Sequence, residues 1–392
     1  MVASWFALPK FLLPAQPTYT QTLLNNGITV ATKTLPTTKY AVGVFVKGGA
    51  SMERGGVPEG TAHLLEHMLI RDMDHGKLKK QGVSVSGHTS HNYVSVFGQG
   101  KGSSSQELVP MLLGALRRRL NPKLLKEEKA VVTQEYHTMK GSIEDQLDQL
   151  YKLLPGQGGG RSIMGTPESI AQIGMSHLAH LHQQPKTSGT VFLVGSGGIS
   201  HQQMVALARN HPADIPRAGL ESGLEAGPGS GSGAGPTATH LVFGFVAPGR
   251  QSQRYIHYWL LQNLVNYYLK QTKTIDASAH SVTNTENGMF SIRINKAHSN
   301  LTPGILFSKA LSLLEEYKKV AMADTAETNC VEQMFSMANF LTTGTPYLTN
   351  AEVLSLFRGV TREELRQSIE KLRNPIIMPY KEIPATPVEK HK

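Results

Sequence analysis

The chain has 392 residues, enough for two or three ordinary domains and for a core that needs no cross-links. Hydrophobic residues make up 40% of it and charged residues 17%, and its 38 glycines follow no G-X-Y period, which excludes a disordered chain and a collagen-like one. A single cysteine, Cys330, excludes an internal disulfide and any zinc site built from several thiolates, so a metal would have to rest on His and carboxylates. The 39 Lys and Arg against 29 acids leave a charge of +10, which suggests anionic partners. The basic residues are scattered, however, Arg117-Arg118-Arg119 and Lys79-Lys80 being the densest groups, and no aromatic-rich basic strand accompanies them. No nucleic-acid partner is expected. No apolar run of 18 residues occurs, so no membrane-spanning helix is expected.

In chain order, residues 1–19 read as an N-terminal arm. No acid precedes Glu53, as in organellar targeting segments, but Arg is absent until Arg54, and Pro9 and Pro14 would break an amphipathic helix. Ala41 to Val46 reads as a buried strand ending in a Gly48-Gly49 turn, followed by a helix over Gly60 to Ile70. Tyr93 to Phe97 reads as a strand and Leu108 to Leu116 as a helix. Asn121-Pro122 caps a helix that runs towards Pro155 and breaks at Gly141-Ser142. Ser176 reads as the N-cap of a helix bearing His177, His180 and His182, an ordinary partly exposed face. Val191 to Val194 is a short buried strand, and Ser200 with Gln203 a capping box.

Residues 215–237 hold seven glycines and almost nothing to bury, so they read as a flexible connector spanning about 25–30 Å. No phosphate-loop pattern occurs there, in Gly98 to Gly102 or in Gly156 to Gly160. Beyond the connector the first design recurs: strand Leu241 to Val246, strand Met289 to Ile294, helix Ile305 to Leu314, a capping box at Thr361 and Glu364, and a last strand at Ile376 to Tyr380. The offsets between halves, 200 from Ala41 to Leu241 and 197 from Leu108 to Ile305, nearly agree. The expected fold is therefore α+β, with two homologous domains (20–214 and 238–392, the second shortened), each a mostly antiparallel sheet covered by helices.

The chemistry lies in Gly60 to Ile70. His63 and His67 are one helical turn apart on one face, the separation that clamps one zinc ion, and Glu66 projects beside them. H-x-x-E-H reverses H-E-x-x-H, where the metal polarises the scissile carbonyl and the Glu takes a proton from water. With 16 His and 29 acids in 392 residues, such a string arises by chance roughly 0.05 times. A third ligand should come from another helix, and the one after Pro122 offers Glu128 and Glu135, seven apart and so on one face, with Glu127 off it. Either could ligate while the other supports a histidine from outside the ligand set.

These stretches, with Asn26 to Ala31, Val42 to Gly49, Gly160 to Gly165, Pro167-Glu168 and Val194-Gly195, resemble the pitrilysin or inverzincin metallopeptidase family. The likeness is greatest to its mitochondrial branch of processing-peptidase subunits and core subunits of ubiquinol-cytochrome c reductase (respiratory complex III). The resemblance implies that Glu135 is the third zinc ligand, Glu128 its supporting acid and Glu66 the general base. It also implies that Glu144, Asp145 and Asp148 receive arginines of a basic presequence. The chain departs from the family pattern in placing Glu135 only 68 residues past His67. It also departs in reading Ser86-Gly87-His88-Thr89 where the family's substrate-holding edge strand carries Asn-Ala before the Thr. Two functions follow as expectations: a zinc endopeptidase paired with a related subunit, peripheral on the matrix side of the inner membrane and docked on a membrane-embedded respiratory complex, or an inactive scaffold in complex III. Cys330 is expected to be buried.

Overall fold

The computed structural model describes residues 19–71, 73–153, 161–183, 189–209, 239–250, 252, 254–283, 287–298, 300–323, 329–344 and 347–380. The connector at 215–237 and nearly all of the N-terminal arm lie outside them. The N-terminal half contributes β1 (Thr20–Leu23), β2 (Thr29–Thr34), β3 (Lys39–Lys47), α1 (Thr61–Arg71), α2 (His75–Lys80), β4 (Ser84–Thr89), β5 (Tyr93–Lys101), α3 (Ser105–Ala115), α4 (Leu125–Met139), α5 (Ile143–Leu153), α6 (Pro167–Gln172), α7 (Met175–His182), β6 (Val191–Gly197) and α8 (His201–Arg209). The C-terminal half contributes β7 (His240–Pro248), α9 (Tyr255–Thr272), β8 (Ala277–Thr283), β9 (Asn287–Asn295), α10 (Pro303–Ser312), α11 (Leu314–Ala323), α12 (Cys330–Thr343), α13 (Asn350–Gly359), α14 (Arg362–Ile369) and β10 (Ile376–Tyr380).

The first sheet runs β1-β2-β6-β3-β5-β4 and the second β10-β7-β9-β8. Substituting β10 for β6, β7 for β3, β9 for β5 and β8 for β4 turns the last four strands of the first order into the second. The fold is α+β, and the sheets are antiparallel except where β2 runs parallel to β6. The positions that would answer to β1 and β2 in the second half fall, at the 200-residue offset, inside the Gly-rich connector. Among the described residues the second sheet has four strands against six in the first.

Each sheet buries one face under helices of its own half. Val30, Val42, Val44, Val96 and Leu193 pack against Leu64, Met68, Leu108 and Leu112, while Phe245, Phe290 and Ile292 pack against Leu261, Leu264 and Leu306. The opposite faces are covered by exchange. α12 lays Met334, Met337 and Ala338 over Ala41, Phe45 and Val194, and α5 lays Leu147 and Leu150 over Val242 and Met289. Close approach favours a residue without a Cβ in the middle strand: a Cβ on Gly43 would overlap Phe97 and Phe45 of the sheet and press on the Met334 sulfur, and one on Gly244 would overlap Leu150. The sequence boundary at the connector thus separates the sheets but not the cores.

Side-chain caps start several of the helices. Asn121 accepts from the Lys123 backbone and Thr361 pairs reciprocally with Glu364, as their patterns suggest. α7 starts two residues earlier than expected, at Met175: Gly174, not Ser176, is its N-cap and donates its N–H to His177 Nδ1, because an imidazole nitrogen can take the place of the usual Glu or Gln return bond. Gly98 and Gly100 belong to β5, packed on Leu108 and Tyr40. Cys330 is half-buried at the start of α12, with its sulfur 3.6 Å from the Lys39 carbonyl, since the first turn of that helix sits over the N-terminal end of β3.

Candidate metal centre and active site

α1 and α4 pack face to face, which brings the motif histidines against the two acids of α4. Nε2 of His63 lies 3.6 Å and Nε2 of His67 3.2 Å from Oε2 of Glu135. One donor atom from each of the three residues falls within 4.8 Å of the other two. Two imidazole nitrogens and one carboxylate oxygen are a donor set that zinc takes in hydrolytic sites. Protonation favours a cation as well. Burial pushes His63 down to about 4, leaving a neutral imidazole, and the bond from His67 holds the Glu135 carboxyl below its usual range. Burial also pulls on His67, but Glu135, Glu66 and Glu128 around it outweigh that and raise it. A divalent ion between His67 and Glu135 would take the place of the hydrogen bond they share. The residues fit zinc.

The two histidines are held differently. Nδ1 of His67 lies 3.4 Å from Oε2 of Glu128, a carboxylate with 5% of its side chain exposed, so that ring is fixed from behind. Nδ1 of His63 is buried without a hydrogen-bond partner among the described residues, and its ring is held by edge-on contact with His67, centroids 4.8 Å apart.

Glu66 is buried, and Thr89 Oγ1 donates to its Oε2 at 2.6 Å. Burial raises its carboxyl to about 7 against the lowering effects of Thr89 and His67. An acid poised there can both take and return a proton near neutrality. It rests against Gly87 of β4, where any Cβ would overlap its carboxylate.

β4 is the last strand of its sheet. Ser90 donates to the Tyr93 carbonyl at 2.9 Å, so the alternation of an antiparallel ladder turns the backbone groups of Ser84, Ser86 and His88 inward and those of Val85, Gly87 and Thr89 outward. Among the described residues no side chain bonds that outward row. The matching strand β8 is different: Asn266 of α9 both donates to and accepts from the Ala279 backbone at 2.9 Å, and Gln262 accepts from the Ser281 N–H at 2.6 Å. Gly87 lies across the ladder from Val96 and thence Val44, and Ser281 from Phe290 and thence Phe245, each one residue past the close-approach glycine of its middle strand. Gln262 therefore stands where Glu66 stands.

The entry to α1 is locked. Glu53, fully buried, accepts from the backbone N–H of Gly60 and Ala62, placing a carboxyl at the positive end of the helix. Burial nonetheless raises it to about 8. Arg161 donates to the Val57 carbonyl, Ser169 to the Glu59 carbonyl, and Lys152 to the Glu59 carboxylate at 3.1 Å.

Of the three acids on α5, Asp148 is turned inward, its two oxygens accepting from Ser162 Oγ and the Ile163 N–H. Asp145 accepts from the Gly141 N–H and Gln149. Glu144 faces His280. Sequence reasoning missed Thr89, Glu53 and Arg71. Arg71 was within reach, since it extends the His63–His67 stripe by one more turn; Glu53 and Thr89 carry no local pattern.

No family model matches the chain. It is 29% identical over 204 residues to the mitochondrial-processing peptidase subunit beta of Lentinula edodes, a match covering 49% of this chain and 44% of that protein. To the mitochondrial ubiquinol-cytochrome-c reductase complex core protein I of Euglena gracilis it is 27% identical over 277 residues, 66% of this chain and 55% of that protein. The chain thus matches about half the length of these curated relatives. The crystal structure of an M16-like peptidase from Alicyclobacillus acidocaldarius shares the fold with a TM-score of 0.71 at 16% identity, over 93% of this chain and 98% of that one. In sequence the chain is thus similar to processing-peptidase and complex III core subunits, and its fold is that of an M16-like peptidase.

Proposed function

We propose that the chain is a zinc-dependent endopeptidase subunit of mitochondria that cleaves basic presequences together with a related subunit. The convergence of His63, His67 and Glu135 beside buried Glu66 carries this reading. A zinc ion held by the three would polarise the scissile carbonyl and make water acidic enough to attack at neutral pH. Glu66 accepts the proton and returns it to the leaving amine, with Thr89 fixing which oxygen faces the substrate. The outward backbone of Val85, Gly87 and Thr89 pairs with an extended peptide as an added strand. Glu144, whose neighbours Asp145 and Asp148 are bonded within the chain, is the acid assigned to a substrate arginine.

Among the described residues no helix is long and apolar enough to cross a membrane. We therefore assign a peripheral position on the matrix side of the inner membrane, reached through a related subunit and a membrane-embedded respiratory complex. The second reading is an inactive scaffold subunit of complex III. It is favoured by the match to the Euglena core protein, which runs further along this chain than the match to the Lentinula processing peptidase, and by Ser86-Gly87 in the edge strand.

The test is elemental analysis and cleavage of a basic presequence peptide by the native assembly. About one zinc per chain, lost in Glu135→Gln, together with cleavage supports the peptidase. Zinc without cleavage selects the scaffold, and less than a tenth of an equivalent in protein never exposed to chelator rejects the metal centre.

A further inference from the structure

We infer that Arg71 is a positioning residue of the metal centre: through Glu128 it holds the His67 ring in the orientation that ligation needs. The inference rests on the zinc reading above. His63, His67 and Arg71 stand at i, i+4 and i+8 on α1 and so form one stripe. Facing them on α4, in antiparallel order, are Glu135, Glu128 and Glu127. The ladder is continuous because Glu128 divides its oxygens. Oε2 faces His67 Nδ1 at 3.4 Å, and Oε1 faces Arg71 Nε at 3.2 Å.

Burial decides what this arrangement does. The Glu128 side chain is 5% exposed and that of Arg71 57%, so the guanidinium reaches in from solvent to cover a carboxylate that water hardly touches. An ion pair with one buried partner is not an ordinary surface pair: removing the arginine strands the buried charge and frees the carboxylate to turn from Nδ1. His67 is the ligand that would suffer, because the ring of His63 has no such acceptor and is held by packing. Glu127, 3.7 Å from Nη2 and itself largely exposed, only steadies the arginine.

The sign of the effect separates this role from a bystander's. A bystander cation two turns along the helix from a divalent ion repels it, so its removal should leave zinc affinity unchanged or improve it. A positioning role predicts the opposite. The experiment measures zinc affinity of the full chain by competition with a chromophoric chelator, for the wild type, Arg71→Met, Arg71→Lys, Glu128→Gln and the double variant Arg71→Met/Glu128→Gln. The expected result is a loss of about three- to tenfold in Arg71→Met, at or below the low end of what outer partners of a metal ligand usually contribute. Partial recovery in Arg71→Lys is expected, because an ammonium lacks the fork but keeps the charge. The double variant should be no weaker than Glu128→Gln alone, as for residues acting through one another. Unchanged or tighter binding in Arg71→Met, or an additive double variant, overturns the inference while the zinc reading stands. A wild-type chain that binds no zinc overturns both.

Discussion

In the N-terminal half the outermost strand, β4, meets Glu66 of α1 across Gly87 and keeps its outward backbone row unbonded among the described residues. In the C-terminal half the outermost strand, β8, has its outward row taken up by Gln262 and Asn266 of α9. An exposed strand edge invites pairing with any extended chain, and proteins usually block it. The other margins follow that rule, β1 being only four residues long and β10 carrying Pro379. One topology has thus been used twice, once with its edge closed by amides and once with an acid in the same place. The helices differ accordingly: at the Glu66–Gln262 correspondence, buried Leu260 and Leu261 of α9 answer to Leu64 and Leu65 of α1, while Trp259 and Asn263 stand where α1 carries His63 and His67.

The sharpest way to break the comparison is to exchange what the two positions do. Glu66→Gln should keep zinc and lower the cleavage rate about 10²- to 10⁴-fold, as expected for loss of a general base, while Gln262→Ala should leave the rate of the native assembly within about twofold. Steady-state assays with zinc analysis of both variants decide this; equal losses would mean that neither position is chemical.

Packing gives the next largest effect. Gly244→Ala should cost about 1–3 kcal/mol in urea unfolding, because the added methyl overlaps Leu150. Leu150→Ala in the same chain should recover part of that loss. An additive pair would show that the exchange of α5 does not govern the site.

The closed edge makes a comparable prediction. Asn266→Ala leaves the Ala279 N–H and carbonyl without their partner, at a cost of about 1–3 kcal/mol, and should raise self-association seen by light scattering as the edge opens. A variant as stable and monodisperse as the parent would remove the argument for a blocked edge.

The last effect is one of pH and concerns Glu53. Its carboxyl is raised to about 8 in the fold from an ordinary 4.5, so between those values the folded chain holds a proton that the unfolded chain has released. Stability from this group is therefore present below about pH 4.5 and is lost as pH rises towards 8. In Glu53→Gln the fall in unfolding free energy between pH 5 and 8 should be shallower than in the parent. Identical slopes in denaturant titrations at the two pH values would refute the assignment.

Much of the centre was legible because helical spacing is a local property. His63 and His67 at four residues, and Glu128 and Glu135 at seven, declare which side chains share a face before any partner is known. Which α4 acid meets the imidazoles was left open by spacing and taken from a family resemblance, since a period says nothing about where two helices cross. Asp148 shows the limit: the resemblance makes it a receiver of substrate arginines, yet Ser162 and Ile163 fold back over it and take both oxygens.

The sequence by itself determined the central strands of both halves, the twofold repetition and the stripe of His63 and His67, because these depend on periodicity, turn residues and a roughly constant offset; it did not show the edge strands β4 and β8 or the helices α9 and α12. Only the tertiary structure decided that Glu135 closes on both imidazoles while Glu128 backs one of them. It also decided that Thr89 holds Glu66, that Glu53 caps α1, and that each half borrows a helix from the other. Those contacts join residues tens to hundreds of positions apart, and their energies come from burial and from the close approach of surfaces that no local pattern records.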